Sequence, residues 1–146
     1  MLKGKSYSYF LVFLQFILIG LLALNSNIKD SILYLLIFFF GIFVGVWAIL
    51  VMQKSKLRIT PDVASNATLI KTGPYKYIRH PMYLSVLTVC LSFVLSNINS
   101  LTILLFVFLF FDLFLKMNYE EKLLQKAFYN YSEYMIKTKR LIPFLY

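Results

Sequence analysis

Two short groups of polar residues interrupt an otherwise apolar chain, and their types and spacing could do chemistry. Arg79 and His80, the only histidine, directly precede Pro81, and proline suits the first turn of a helix. The unpaired N–H groups and positive dipole end of such a helix can receive an anion. Glu120 and Glu121 are predicted where a helix leaves the membrane, and a helix C-terminus disfavours acids. This pair is better suited to meeting a cation, belonging either to a ligand or to a neighbouring side chain.

The histidine belongs to a longer stretch at residues 73–83 that reads GPYKYIRHPMY. Its Gly-Pro start is typical of a turn, because glycine tolerates positive φ and proline presets its own φ. This stretch, followed by the two glutamates and by RLIP at residues 140–143, resembles the isoprenylcysteine carboxyl methyltransferase and phospholipid methyltransferase superfamily of integral membrane enzymes. The resemblance covers residues 70–146, whereas residues 1–69 share only a hydrophobic, membrane-spanning character.

The resemblance implies S-adenosylmethionine as cofactor, bound between the third and fourth spans and the C-terminal helix. An acid pair would hold its ammonium, a helix N-terminus with basic residues would line the pocket, and a tyrosine ring could face the sulfonium. The residues so implied are Tyr75, Arg79, His80, Pro81, Tyr83, Glu120 and Glu121. Structural alternatives stay open at this point: His80 as a helix cap, Arg79 as a lipid-phosphate anchor and Tyr83 as part of an interfacial aromatic belt.

Catalytic roles are implied for Arg140, Lys116 and Glu120. A carboxylate acceptor is already ionised at neutral pH and needs a cation to place it, and Arg140 is the candidate. The superfamily often has an arginine one turn before the glutamate pair, and Lys116 in that position keeps the charge but loses bidentate recognition. We therefore expect carboxyl O-methylation of an isoprenylcysteine-like substrate, with phosphatidylethanolamine-type N-methylation as the alternative. A third interpretation is a membrane scaffold without activity.

Composition independently indicates a membrane protein. The chain of 146 residues is 60% hydrophobic and 18% aromatic, with a mean hydropathy of +0.76, which is outside the range of soluble domains. Its net charge of +9 comes from lysines and arginines clustered at the ends of apolar runs, so we expect no nucleic-acid partner. One cysteine, one histidine and scattered carboxylates predict no metal site.

The apolar runs predict an all-α fold in a single membrane domain, residues 1–146. Transmembrane helices are expected at about 7–24, 32–52, 82–97 and 101–115, the last two forming a tight hairpin. Residues 53–81 form a polar loop that carries the first motif, and residues 116–146 form the C-terminal segment. Fourteen of the fifteen lysines and arginines then lie on the side of both termini. The positive-inside rule makes that side cytoplasmic, and we expect a bacterial inner membrane.

Three further features of the spans carry predictions. Gln15 in the first span needs a polar partner on another helix. Gly41 and Gly45 in the second form a small-residue face that admits either a helix of the same chain or a second copy in a homodimer. Asp112 in the fourth span is a functional candidate because intramembrane carboxylates are costly, but its spacing to Lys116 favours a structural ion pair.

The C-terminal segment has apolar residues at helical spacing, namely Leu124, Phe128, Tyr131 and Met135. This pattern predicts an amphipathic helix that continues from the fourth span along the membrane surface. A lipophilic substrate would reach the site sideways from the bilayer, and membrane lipids are the other expected partners.

Overall fold

The structure, a computed structural model, describes residues 2–53 and 68–143. Within these residues the α-helices are α1 (Leu2–Leu24), α2 (Ile32–Met52), α3 (Pro81–Ser96), α4 (Ser100–Ala127) and α5 (Tyr131–Lys137). Short 3-10 turns occupy Ile28–Asp30 and Gly73–Lys76. The described residues contain no β-strand, which agrees with the predicted all-α class. Most of the predicted polar loop, residues 54–67, lies outside the described part.

Among the described residues, three helices are long and apolar enough to cross a membrane: Ser6–Leu24 within α1, α2 and α4, with 19, 21 and 28 residues. At 1.5 Å per residue they measure about 28, 32 and 42 Å, against a hydrocarbon core of about 30 Å. The protein is therefore an integral membrane protein. Helix α3 corresponds to the third predicted span, but its 16 residues extend only about 24 Å.

The small-residue face of α2 packs against α3. Ser85 Oγ donates a hydrogen bond to the carbonyl oxygen of Gly41 at 2.7 Å. A Cβ atom added to Gly41 would lie 2.8 Å from a methyl group of Val89, and one added to Gly45 would collide with Ser85 Oγ. Glycine is therefore required for this close approach. Helix α3 of the same chain therefore occupies this face.

The α1–α2 connection and the α3–α4 connection lie side by side at one end of the bundle. The backbone N–H of Asn27 donates to Ser96 Oγ at 3.0 Å, and the side-chain amide of Asn97 donates to the carbonyl of Asn25 at 2.8 Å. Asn99 caps α4 through a capping box. The α3–α4 connection is as short as predicted, although α3 packs mainly on α2, and α4 mainly on α1.

A polar contact joins the first and fourth helices. Lys116 Nζ donates to Gln15 Oε1 at 2.7 Å, and both residues are buried. The prediction that Gln15 has a polar partner on another helix is confirmed. The predicted ion pair of Lys116 with Asp112 lacks a hydrogen bond, since the two carboxylate oxygens of Asp112 accept none within the described residues. The two charges interact electrostatically, but the flexible lysine side chain reaches across to α1.

The C-terminal segment is helical, but the prediction of one helix that continues from the fourth span was wrong. Helix α4 ends at Ala127, Phe128 has an extended backbone with φ −124° and ψ 113°, and α5 starts anew at Tyr131. Tyr131 and Tyr134 are buried, and the hydroxyl of Tyr134 donates to the carbonyl of Tyr75 at 2.6 Å. The aromatic face of this segment packs on the first motif, which requires the chain to turn back after α4.

Candidate active site

The first motif folds as its turn residues predict. Gly73 has φ +59°, in the left-handed region that favours glycine, and begins the 3-10 turn. A Cβ atom there would lie 2.8 Å from a Val51 methyl group, so the turn rests on the end of α2. Pro81 is the first residue of α3. His80 occupies the N-cap position without a side-chain cap bond, which leaves its ring available for other contacts.

The C-terminal segment runs alongside the first motif as a short extended pair. The backbone N–H groups of Arg79 and His80 donate to the carbonyls of Lys139 and Arg140 at 2.8 and 3.0 Å, and Lys139 N donates to Tyr77 at 3.2 Å. Ile78 and Lys139 form a parallel bridge. This pairing holds Arg140 beside His80, although sixty positions separate them in the numbering.

Glu121 is the centre of a buried charge cluster. Arg79 Nε donates to its Oε1 at 2.8 Å, His80 Nε2 lies 3.2 Å from the same oxygen, and Arg140 donates to Oε2 at 2.6 Å. The Glu121 side chain is only 3% exposed. Charge-assisted hydrogen bonds of this kind are the stronger class. Three cationic or polar N–H groups from two distant segments thus converge on one carboxylate.

Arg79 also fixes the C-terminal segment. Its Nη1 donates to the carbonyls of Met135, at 3.1 Å, and of Thr138. The Arg79 side chain is 8% exposed, which does not fit a lipid-phosphate anchor. The guanidinium therefore ties together α4, the first motif and the end of α5.

Glu120 differs from its neighbour. Its side chain is 20% exposed. It accepts a hydrogen bond from the Tyr83 hydroxyl at 2.5 Å, and His80 Nδ1 lies 3.7 Å from its other oxygen. An ionised carboxylate offers about four acceptor positions, so Glu120 retains capacity to bind a further donor.

Tyr83 contacts both His80 and Lys116. Its ring stacks on that of His80, with centroids 5.4 Å apart and planes at 21°. Lys116 Nζ lies 5.1 Å from the Tyr83 ring centroid. Tyr83 is 9% exposed, which does not fit an interfacial aromatic belt. Its ring, predicted to face a sulfonium, already contacts a cation of the chain itself.

Tyr75, Tyr131 and Tyr134 lie together beside Arg79. Burial raises the pKa of Tyr75 and of Tyr131, and raises that of Tyr134 to about 12, so all three stay protonated at neutral pH. The Tyr75 hydroxyl is buried and has no hydrogen-bond partner among the described residues. It is a donor and acceptor ready for a bound molecule or water.

The structure brings most sequence-predicted site residues together. Arg79, His80, Glu121 and Arg140 form the charge cluster, and Glu120, Tyr83 and Lys116 adjoin it. Pro81 is buried at the start of α3, and Tyr75 lies buried in the motif. Sequence reasoning missed Tyr131, Tyr134 and Thr138 as supports of the site. Their spacing of three and four residues was a usable signal, since it puts them on one face of a helix.

The chain matches a model of a known protein family. The model, described as phospholipid methyltransferase, covers residues 30–131, which include the first motif and both glutamates. The chain belongs to the phospholipid methyltransferase family. A comparison with curated proteins found no match. The family confirms the superfamily inferred from the motifs, and it consists of membrane methyltransferases of a kind that typically use S-adenosylmethionine.

The donor set of this family member fits that cofactor. Glu120 is a partly exposed carboxylate with unfilled acceptor positions, which suits an ammonium group. The unpartnered Tyr75 hydroxyl and the buried aromatic rings suit a polar, planar ligand. The cluster around Glu121 makes the site rigid, because each of its charged side chains is bonded to another side chain of the cluster.

Proposed function

We propose that the protein transfers a methyl group from S-adenosylmethionine to a lipophilic acceptor in the membrane. The observation that carries the proposal is the contrast between two adjacent acids: Glu121 is buried under three donors, whereas Glu120 is partly exposed and has unfilled acceptor positions. Glu120 would bind the ammonium of the methionyl group. The cofactor, when bound, supplies the methyl group on a sulfonium.

The chain's own contribution would be binding and orientation. Glu120, His80 and Tyr75 would hold the polar parts of the cofactor, and Tyr83 would keep Glu120 in place through its 2.5 Å hydrogen bond. Methyl transfer is an in-line displacement, so correct alignment and exclusion of water supply most of the rate. Glu121 and its partners would act as positioning residues that lock α4 to the motif.

Two observations favour an amine acceptor, as in phosphatidylethanolamine-type N-methylation. A carboxylate acceptor needs a cation to place it, but Arg140 bonds to Glu121 at 2.6 Å and Lys116 to Gln15 at 2.7 Å. The matching family model is the phospholipid methyltransferase one. We therefore propose a lipid amine as the methyl acceptor.

Carboxyl O-methylation of an isoprenylcysteine-like molecule is the second candidate. The Arg140 side chain is 23% exposed, and its guanidinium carbon lies 6.0 Å from the Phe114 ring centroid. A guanidinium beside an aromatic ring suits a molecule that carries a carboxylate on an apolar body.

The test is incubation of membranes containing the protein with methyl-labelled cofactor, followed by lipid extraction. We expect label in the lipid fraction that withstands mild base, as an N-methyl group does. At a subsaturating cofactor concentration, Glu120→Gln should incorporate at least tenfold less label. Glu133→Gln is the matched control, because its pair with Lys137 is exposed and lies outside the site.

Other outcomes of this incubation are equally informative. Base-labile label would indicate a methyl ester and overturn the amine assignment in favour of the carboxyl one. No label in any lipophilic fraction, with no binding of S-adenosylhomocysteine, would leave a scaffold without activity and contradict the proposal.

We also propose that α3 crosses the membrane as a fourth span. Its C-terminal Ser96 bonds to Asn27 at the α1–α2 connection, which supports a helix that runs from the motif end of the bundle to the opposite end. The charge distribution supports cytoplasmic termini in a bacterial inner membrane.

Thiol labelling of intact cells tests this topology in a chain whose buried Cys90 is replaced by alanine. Cysteines at Asn27 and Asn99 should react with an impermeant reagent from outside, and a cysteine at Lys139 should not. Labelling at position 139 would contradict the proposed orientation.

A further inference from the structure

A second concave region, which we call the α1–α4 cavity, lies between the first and fourth helices, outside the charge cluster. Its volume of about 420 Å³ falls in the range of about 300–1,000 Å³ typical of small-molecule sites. It is lined by Tyr7, Phe10, Leu11, Leu14, Leu18, Phe108, Phe111, Asp112 and Leu115. Apart from the tyrosine hydroxyl, Asp112 is the only polar group among the described residues of this lining.

Asp112 is buried without a hydrogen bond. The residue is 2% exposed, and neither carboxylate oxygen accepts a hydrogen bond within the described residues. Its neighbour one turn along, Lys116, interacts with Asp112 electrostatically but donates its hydrogen bond to Gln15 and lies over the Tyr83 ring. A carboxyl group in such surroundings is unfavourable unless a ligand or a proton satisfies it.

We propose that the α1–α4 cavity binds a lipophilic amine, with its ammonium on Asp112 and its hydrocarbon chain along the apolar lining. Phe10 is 59% exposed and Phe111 58% exposed, so the cavity is open towards the bilayer, from which such a molecule arrives. The site is separate from Glu120, which lies eight residues further along α4, a rise of about 12 Å.

The lining also determines which head groups fit. Among the residues whose side chains the structure describes, no lysine or arginine lines the cavity, so a phosphate group next to the amine would lack a partner there. A fatty acid would bring a second carboxylate to Asp112, and like charges at short range repel. The fitting ligand is thus a phosphate-free alkyl chain with a primary amine.

Photo-crosslinking tests the proposal in nanodiscs of phosphatidylcholine that contain the full chain and no cofactor. The probe is dodecylamine with a diazirine in its chain. We expect crosslinks on peptides of α1 and α4, competed away by dodecylamine but not by dodecanoic acid. The Asp112→Asn variant should bind the amine at least tenfold more weakly. Asp30→Asn, which changes an exposed acid at the far connection, is the matched control and should bind as wild type.

A second variant keeps the proposal falsifiable if Asp112→Asn does not fold. Leu14→Trp fills the cavity from α1, leaves Asp112 in place and should abolish the specific crosslinks. Unchanged amine affinity in either variant, or equal competition by dodecanoic acid, would overturn the proposal. Because cofactor is absent, failure of the proposed methyl transfer would leave this result unaffected.

Discussion

Two buried carboxylates on α4, Glu121 and Asp112, lie nine residues apart and are equally hidden, at 3% and 2% exposure. The Glu121 carboxylate contacts the side-chain nitrogens of Arg79, His80 and Arg140. Asp112 has no hydrogen-bond donor within the described residues. Burial alone therefore does not distinguish a structural carboxylate from one that binds a ligand. The hydrogen-bond donors around each carboxylate make this distinction. A carboxylate with its hydrogen bonds satisfied stabilises the fold, whereas one without them is stable only with a bound ligand or a proton.

Glu120 lies between these extremes. It has one donor, Tyr83, a more distant histidine nitrogen, and a side chain that is one fifth exposed. Adjacent residues of a helix point about 100° apart, so Glu120 and Glu121 face different surroundings although they are neighbours in the chain. This division allows one acid to hold the site together while the other remains available to a bound molecule.

The largest effect is expected for Glu121→Gln, which leaves Arg79 buried without its counter-charge. Breaking a buried ion pair by removing one partner typically costs about 3–5 kcal/mol, and we expect a loss of that order in the free energy of unfolding. Denaturant unfolding in detergent micelles measures it. Glu133→Gln removes an exposed pair and should show no measurable change. If Glu121→Gln were as stable as wild type, the cluster would not be structural.

A smaller effect of opposite sign is expected for Asp112→Leu. Removing a buried polar group that lacks a hydrogen bond relieves about 1–3 kcal/mol, and the added side-chain bulk has room in the α1–α4 cavity. The same unfolding measurement should give stability equal to or above that of wild type. A loss of stability comparable to that of Glu121→Gln would mean that both carboxylates stabilise the fold.

Local features were predictable because local rules decide them. Gly73 and Pro74 specified a turn, and Pro81 specified the start of α3. The apolar runs placed the starts of α2, α3 and α4 to within one residue, whereas α1 begins five residues earlier and α4 ends twelve residues later than predicted. The charge argument also selected the two glutamates before any partner was known.

Partner choice was not predictable, because it depends on segments far apart in the chain. Lys116 matched Asp112 by helical spacing, yet its long side chain bonds to Gln15, 101 residues away. Likewise Arg79 reaches Glu121 across 42 residues, and nothing in the local pattern separates Glu121 from Glu120. The apolar stripe after α4 suggested a membrane surface because its true partner, the first motif, is equally remote in sequence.

Calorimetric titration with S-adenosylhomocysteine tests the division between Glu120 and Glu121 most directly, since this molecule keeps the amino group and lacks the sulfonium charge. A hydrogen bond between charged groups is worth about 1.5–3 kcal/mol, which corresponds to roughly a ten- to hundredfold change in affinity. We expect Glu120→Gln to bind at least tenfold more weakly while unfolding like wild type, and folded Glu121→Gln to lose less affinity. Wild-type affinity in Glu120→Gln, or a larger loss of affinity in Glu121→Gln than in Glu120→Gln, would contradict the assignment of Glu120 as the ligand-binding acid.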